Sequence, residues 1–183
     1  TSATPKRVME LMNKAGLKTI PTGIDYGTVT VISDKQNYEI TTFRKDIETD
    51  GRRAKVKFSG SVLEDAKRRD FSINAIYSEQ DGTILDPLNG IVDIAKKRIK
   101  FIGDPYARIK EDYLRILRFF RFLASFGRED ESHEIEIAAI NDLRDGLDTI
   151  SAERKSDEIL KLFAAPNPQY SIFLMETADI SSK

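Results

Sequence analysis

The sequence contains no cysteine. Disulfides, thiolate metal sites and a cysteine nucleophile are thereby excluded, and the lack suits a cytoplasmic protein. It contains one histidine, His133. A histidine-rich zinc site is excluded, and any Ser-His-Asp triad would have to use this residue. It stands in the acidic stretch SFGREDESHEIE and reads as an exposed helix residue. No apolar run approaches the roughly 20 residues that cross a bilayer, and no signal peptide is read at the start. The chain has no DxD pair, no glycine-rich phosphate loop and no HExxH. The first residue is Thr, which reads as a processed or partial chain.

What is present is charge, unevenly placed. The 183 residues carry 29 Lys and Arg against 30 Asp and Glu, a net charge of −1. Between Gly51 and Asp70 seven basic residues face three acidic ones, and between Lys96 and Arg121 nine face three. From Glu129 to Glu158 the balance reverses, with eleven acidic residues and three basic. Such a distribution suits a surface that holds a polyanion at one end, or simply solvated helix faces.

The first half is rich in strand signals. Thr4 to Lys14 reads as a helix, with Thr4 as cap, Pro5 in the first turn and Gly16 as stop. Gly27–Ser33 and Tyr38–Phe43 alternate and are β-branched, which predicts a hairpin across Ser33–Asn37. Arg44–Arg53 reads as a charged loop. Ser61 to Arg69 reads as a helix opened by a Ser61/Glu64 capping box. Phe71–Ser78 and Thr83–Leu85 read as strands, and Asp86–Gly90 as a tight turn. After Ile91 the pattern is helical. Asp104-Pro105 opens one helix expected to run unbroken to Phe126, with Ile109, Tyr113, Ile116, Leu117, Phe120 and Leu123 as its apolar stripe. Helices over about Ser132–Leu143, from Ser151, and over about Gln169–Glu176 follow. The fold class is α+β, a β-rich first half followed by a helical second half.

Three segments could carry chemistry. In KRRDFSINAIY (Lys67–Tyr77), arginine forks grip phosphate oxygens and Asp70 could accept from a ribose hydroxyl. The alternative is an Arg/Asp pair closing an element end. In EDYLRILRFFRF (Glu111–Phe122), Asp112, Arg115, Arg118 and Arg121 recur every third residue and form a ridge on a helix. An acceptor and a donor together can meet the edge of a nucleobase, and the other two arginines could reach phosphates. The alternative is a surface Asp–Arg pair with solvated arginines. Glu39 stands on the second hairpin strand, on the face opposite Tyr38 and Ile40. Metal-dependent phosphoryl transfer needs two or three converging carboxylates, and no partner for Glu39 is evident.

The segments KTIPTGIDYGTVTV, YEITTFR, KRRDFSINAIY, DPLNGIVDI, RIKFIGDPYARIKEDYLRILRFFRF and ISAERKSDEI, in this order, resemble the bacterial tRNA nucleotidyltransferase (CCA-adding enzyme) and poly(A) polymerase family. The resemblance implies an incomplete polymerase-β-like nucleotidyltransferase head over residues 1–90 and a helical neck over 91–183. It implies transfer of CMP and AMP from CTP and ATP to RNA 3′ ends, with tRNA as partner and Mg²⁺ as cofactor. By the same resemblance Arg69 and Asp70 contact ribose and phosphates, and Asp112 and Arg115 select the base. Arg118 and Arg121 line the nucleotide site, Glu39 is the third catalytic carboxylate of the head, and the ISAER stretch steadies the neck. The family's DxD pair and phosphate turn have no counterpart here, so the isolated chain is expected to be inactive. A separate chain carrying the DxD segment, or self-association through an exposed head edge, is the expected complement. A non-catalytic nucleotide- or RNA-binding remnant is the second reading.

Overall fold

The computed structural model describes residues 1–50, 53–128 and 132–180, with backbone alone for 46–50 and 53–55. It forms two compact units, Thr1–Arg68 and Arg69–Lys183, in an α+β architecture. Arg52 of the first basic stretch and residues 129–131 of the acidic stretch lie outside what is described, and Arg53 and Lys55 are described by backbone alone.

In the first unit, helix α1 (Pro5–Lys14) begins as its sequence predicts. The Thr4 hydroxyl accepts from Arg7 N–H, and Pro5 fills the position whose missing N–H costs nothing. The predicted hairpin forms from β2 (Thr28–Ser33) and β3 (Gln36–Thr41). Its two-residue turn places Asp34 and Lys35 at φ 49° and 64°, the left-handed geometry that matches strand twist. Pairing sets Val29 opposite Ile40 and Val31 opposite Tyr38, so the face under α1 is apolar. Val8, Val29 and Val31 are its buried centre, with Met12, Leu17 and Ile40 packed around them.

Three strands were not anticipated as such. β1 (Lys18–Gly23) pairs antiparallel with β2, giving the order β1-β2-β3. Its alternation is hidden by Pro21, which an edge strand tolerates because one side of its backbone needs no partner. The stretch expected to be a charged loop instead forms an antiparallel ribbon of β4 (Arg44–Asp50) and β5 (Arg53–Phe58); the expected loop tip, residues 51–52, lies outside the described residues. Helix α2 (Val62–Lys67) is shorter than predicted. Ser61 accepts from Glu64 N–H at 3.4 Å, but the Glu64 carboxylate takes the Ser59 hydroxyl, so the capping box is one-sided.

In the second unit, the strand expected over Phe71–Ser78 is interrupted by a 3₁₀ turn at Ser72–Asn74, and only the two-residue β6 (Tyr77–Ser78) forms a strand, paired with β7 (Ile84–Leu85). Side chains explain the turn. Asn74 Nδ2 donates to Asp70 Oδ1 at 2.8 Å, and the Ser72 hydroxyl donates to buried Asp93 at 2.5 Å. These local bonds compete with an extended ladder. At Asp86–Gly90 the Asp86 carboxylate accepts from Gly90 N–H at 2.7 Å and Ile91 N–H at 2.9 Å, opening α3 (Gly90–Ala95). A Cβ at Gly90 would strike the Ser72 carbonyl.

The helix expected over 104–126 is two helices. α4 (Pro105–Glu111) is capped by Asp104, which accepts from Ala107 N–H at 3.0 Å. Asp112 then turns extended, at φ −158° and ψ 106°, and α5 (Leu114–Phe126) starts anew. The Asp112 carboxylate accepts from Leu114 N–H at 3.2 Å, an alternative to the helical bond that ends one helix and begins the next. Across the break, a Cβ at Gly146 would overlap the Tyr113 ring, so glycine lets this ring lie flat against the chain.

Beyond the expected stripe, α5 also buries Phe119, Phe122 and Ala124. It packs on α7 (Ala152–Phe163) and α8 (Pro168–Thr177), while α4 packs on α6 (Glu134–Leu143). His133 departs from expectation: it is buried, its Nε2 accepts from Ile99 N–H at 3.2 Å, and its ring meets Phe119 edge-on. It sits just before α6, where the chain turns inward, and its acidic neighbours in sequence do not report that direction. Among the described residues, no helix is long and apolar enough to cross a membrane.

Candidate functional site

The arginine ridge of α5 occupies the one face this helix does not bury in the apolar core. Each of its members is held by an acid. Arg115 Nη1 donates to Glu111 at 2.6 Å and to the Arg108 carbonyl at 2.7 Å. Arg118 Nε donates to Asp70 Oδ2 at 2.7 Å, and its Nη2 bonds the same oxygen. Arg121 Nε donates to Glu158 at 2.6 Å. Arg121 and Arg118 also lie over Phe122, 4.1 and 5.6 Å from the ring centroid. The ridge is therefore a row of oriented guanidiniums rather than a solvated stripe.

Asp112 and Arg115 do not pair with each other through their side chains. At the α4–α5 break Asp112 is gripped from α7 by Arg154, Nη2 to Oδ2 at 2.7 Å. Arg115 is held from α4 by Glu111 and by a carbonyl. An acceptor and a donor, each fixed by a separate neighbour, thus stand three residues apart, Asp112 at the break and Arg115 in the first turn of α5. An ionised carboxylate has about four acceptor positions, and Asp112 has given up two.

Asp70 is more completely committed. Its carboxylate accepts from Phe71 N–H at 2.9 Å, from Asn74 and from two nitrogens of Arg118, which fills it. The expectation of a ribose contact meets a carboxylate whose present work is to lock Arg118. Burial pushes the Asp70 carboxyl upward, but the Arg118 charge and the hydrogen bonds from Asn74, Arg118 and Phe71 outweigh it, so its pKa lies below the ordinary aspartate value. Arg69, next in the chain, donates to the Asn74 carbonyl at 3.0 Å and lies over the Tyr77 ring at 5.1 Å. Burial and the nearby Arg115 charge lower the pKa of Arg108, whose Nη2 bonds the Arg69 carbonyl.

Glu39 stands in the other unit. It is exposed on β3, opposite Thr30 and on the face away from α1, as strand alternation predicts. Among the described residues, no three His, Cys, Asp or Glu side chains come together to hold a metal ion. Residue-by-residue reading missed Glu158, Glu111 and the reach of Arg154. Glu111 carries an i, i+4 signal toward Arg115. Glu158 and Arg154 act across 37 and 42 residues, and nothing local announces them.

Residues 1–100 match the family described as Poly A polymerase head domain, and residues 136–181 match the one described as Probable RNA and SrmB-binding site of polymerase A. The chain is 39% identical over 183 residues to the CCA tRNA nucleotidyltransferase 1, mitochondrial, of Homo sapiens, covering 99% of this chain and 42% of that protein. It is 42% identical over 182 residues to the CCA-adding enzyme of Leuconostoc citreum, covering 98% and 44%. Its fold superposes on the Bacillus stearothermophilus CCA-adding enzyme in complex with CTP with a TM-score of 0.85 and 34% identity, over 98% of this chain and 42% of that one. The chain thus spans less than half the length of these relatives.

Proposed function

The chain belongs to the poly(A) polymerase head-domain family, which takes in the CCA-adding enzymes, and we propose that it carries the nucleotide-recognising part of a template-independent tRNA nucleotidyltransferase. The reaction is transfer of CMP and AMP from CTP and ATP to a tRNA 3′ end. The observation that carries this reading is the fixed acceptor–donor pair of Asp112 and Arg115. Cytosine and adenine both present an exocyclic amino group that an ionised carboxylate can accept, beside a ring nitrogen that a guanidinium can donate to. Uracil and guanine present a carbonyl where the amino group would be, and a carboxylate repels it. Asp112 accepts from the amino group and Arg115 donates to the ring nitrogen.

Arg69, Arg118 and Arg121 face the ribose and phosphates of the same nucleotide, with Asp70 orienting Arg118. Attack of the RNA 3′-hydroxyl on the α-phosphate expels pyrophosphate, and arginines fixed beforehand stabilise the charge that develops on the phosphate oxygens. Mg²⁺ serves this class of reaction by activating the hydroxyl and clamping the phosphates. Glu39 is the carboxylate this chain offers it. One exposed carboxylate does not make a metal site.

The sequence has no DxD pair, and we propose that the 183-residue chain binds nucleotide without transferring it. Among the described residues, β1 and β3 each pair on one side only. An open edge supports completion by a strand from another chain, or self-association. A cytoplasmic setting is consistent with the lack of cysteine.

Calorimetric titration tests the binding. CTP and ATP should bind more tightly than UTP, and Arg115→Ala should remove the difference; equal heats for both proteins would sink the base-reading role. Incubation with labelled CTP, Mg²⁺ and tRNA lacking its terminal CCA tests the second part. No label should enter the RNA, and robust incorporation by the pure chain would overturn that expectation.

A further inference from the structure

Glu158 is a buried acid that the base-reading pair does not use. It projects from α7, is 5% exposed, and meets three cations. Arg121 Nε bonds its Oε2 at 2.6 Å, while Arg118 Nη1 and Lys161 Nζ each lie 3.7 Å from its Oε1. Arg118 and Arg121 are three residues apart on α5, so they are surface neighbours of like charge. Left alone, two such side chains repel and sample many rotamers. One carboxylate reaching between them from another helix offsets the repulsion and limits that freedom. Asp70 holds the far side of Arg118, and the Phe122 ring lies beneath both guanidiniums.

We propose that Glu158 is the positioning residue that sets Arg118 and Arg121 together in the orientation that receives a polyphosphate. This rests on the reading of the ridge as phosphate-facing given above. The geometry favours positioning over simple neutralisation, and the two predict opposite signs. A neutralising acid lowers the local positive potential, so removing its charge would tighten anion binding. A positioning acid, when removed, leaves two cations that must be ordered at the moment of binding, so affinity falls.

The test uses the full chain with Glu158→Gln, Glu158→Asp and Lys161→Ala, each first checked by its melting curve. Inorganic tripolyphosphate and CTP are titrated by calorimetry, and the Nε–Hε signals of the arginines are followed by NMR in the free protein. Glu158→Gln should weaken tripolyphosphate and CTP by about tenfold. It should also loosen the Nε–Hε groups of Arg118 and Arg121, while Arg98, held by Asp93, stays ordered. Glu158→Asp, with the charge kept but the reach shortened, should weaken both ligands in the same direction, and it supplies the readout if Glu158→Gln does not fold. Lys161→Ala should leave the two arginine signals in place. Tighter tripolyphosphate binding in Glu158→Gln, or undisturbed arginine signals, overturns the proposal. A wild-type chain that binds no tripolyphosphate would instead overturn the phosphate reading of the ridge, and loosened arginines in the variant would still establish the clamp.

Discussion

The two units bury different things. In Thr1–Arg68 the buried apolar cluster is Val8, Val29 and Val31, and large apolar side chains such as Ile20, Tyr38, Phe58 and Leu63 stay exposed. In Arg69–Lys183 one cluster runs from Phe71 through Ile109, Phe119 and Phe120 to Leu162 and Ile180. The same unit also buries Asp70, Asp93, Arg108, Glu136 and Glu158, whereas among the described residues the first unit buries one ionisable side chain, Asp65, held by Arg68 three residues on. The contrast shows where charge can be held in place. A carboxylate leaves water where its partner is held in place, by the same helix end as at Asp65 or by a surrounding core as at Asp70 and Glu158. In the helical unit the core presets the arginine ridge, with Arg118 on Asp70 and Arg121 on Glu158. The sheet unit offers Glu39 on an open strand face, where only a ligand could order it.

Truncation of the larger core should break this contrast most severely. Phe119→Ala removes a fully buried ring that touches Phe71, Phe101, Phe120 and His133. It should destabilise residues 69–183 by about 3–5 kcal/mol, seen as lost amide protection there. Val29→Ala in the small cluster should cost about 2 kcal/mol by the same measure.

Next in size is Arg118→Met, which leaves Asp70 buried without its cation. Because Arg118 is partly exposed, the expected loss is about 2 kcal/mol in urea denaturation. This pair also sets a pH dependence. The Asp70 carboxyl is held below its ordinary value, so its stabilising effect is fully present above the unfolded value of about 3.9. The effect disappears as pH falls through the folded value. Asp70→Asn should flatten the acid limb of stability against pH, and an unchanged limb would deny Asp70 this role.

Arg154→Met sharpens the comparison on the recognition side. Asp112 keeps its bond to Leu114 N–H but loses its grip from α7. CTP and ATP should bind about tenfold more weakly, with UTP unchanged, and Arg154→Lys should recover part of the difference. The smallest effect belongs to Glu39→Gln. As an exposed strand residue it should change stability by less than about 0.5 kcal/mol in urea denaturation, and a larger loss would show that Glu39 is held by more than its open strand face.

Much of this was legible in the chain itself. The caps at Thr4 and Asp104, the Asp34–Lys35 turn and the apolar periodicity of α5 are local signals, and local physics decides them. Glu39 could be placed on the free face of its strand because alternation has period two. Three readings failed for one shared reason, which is that a side chain competed with the backbone or found a distant partner. Asp112 broke the helix by capping Leu114. Asp70 and Asn74 drew Phe71–Ser78 into a turn. His133 turned inward to Ile99. Each time the residue types were visible, and the direction of the side chain was not.

By itself the sequence determined the α+β class, the order of most elements, and the residue types able to read a base and grip phosphate. Only the tertiary structure decided which acid holds which arginine. Asp70 holds Arg118 across 48 residues, Glu158 holds Arg121 across 37, and Arg154 holds Asp112 across 42. The physical reason is that spacing along a helix settles which neighbours share a face, whereas a buried charge must find its opposite wherever the packed core brings one within reach.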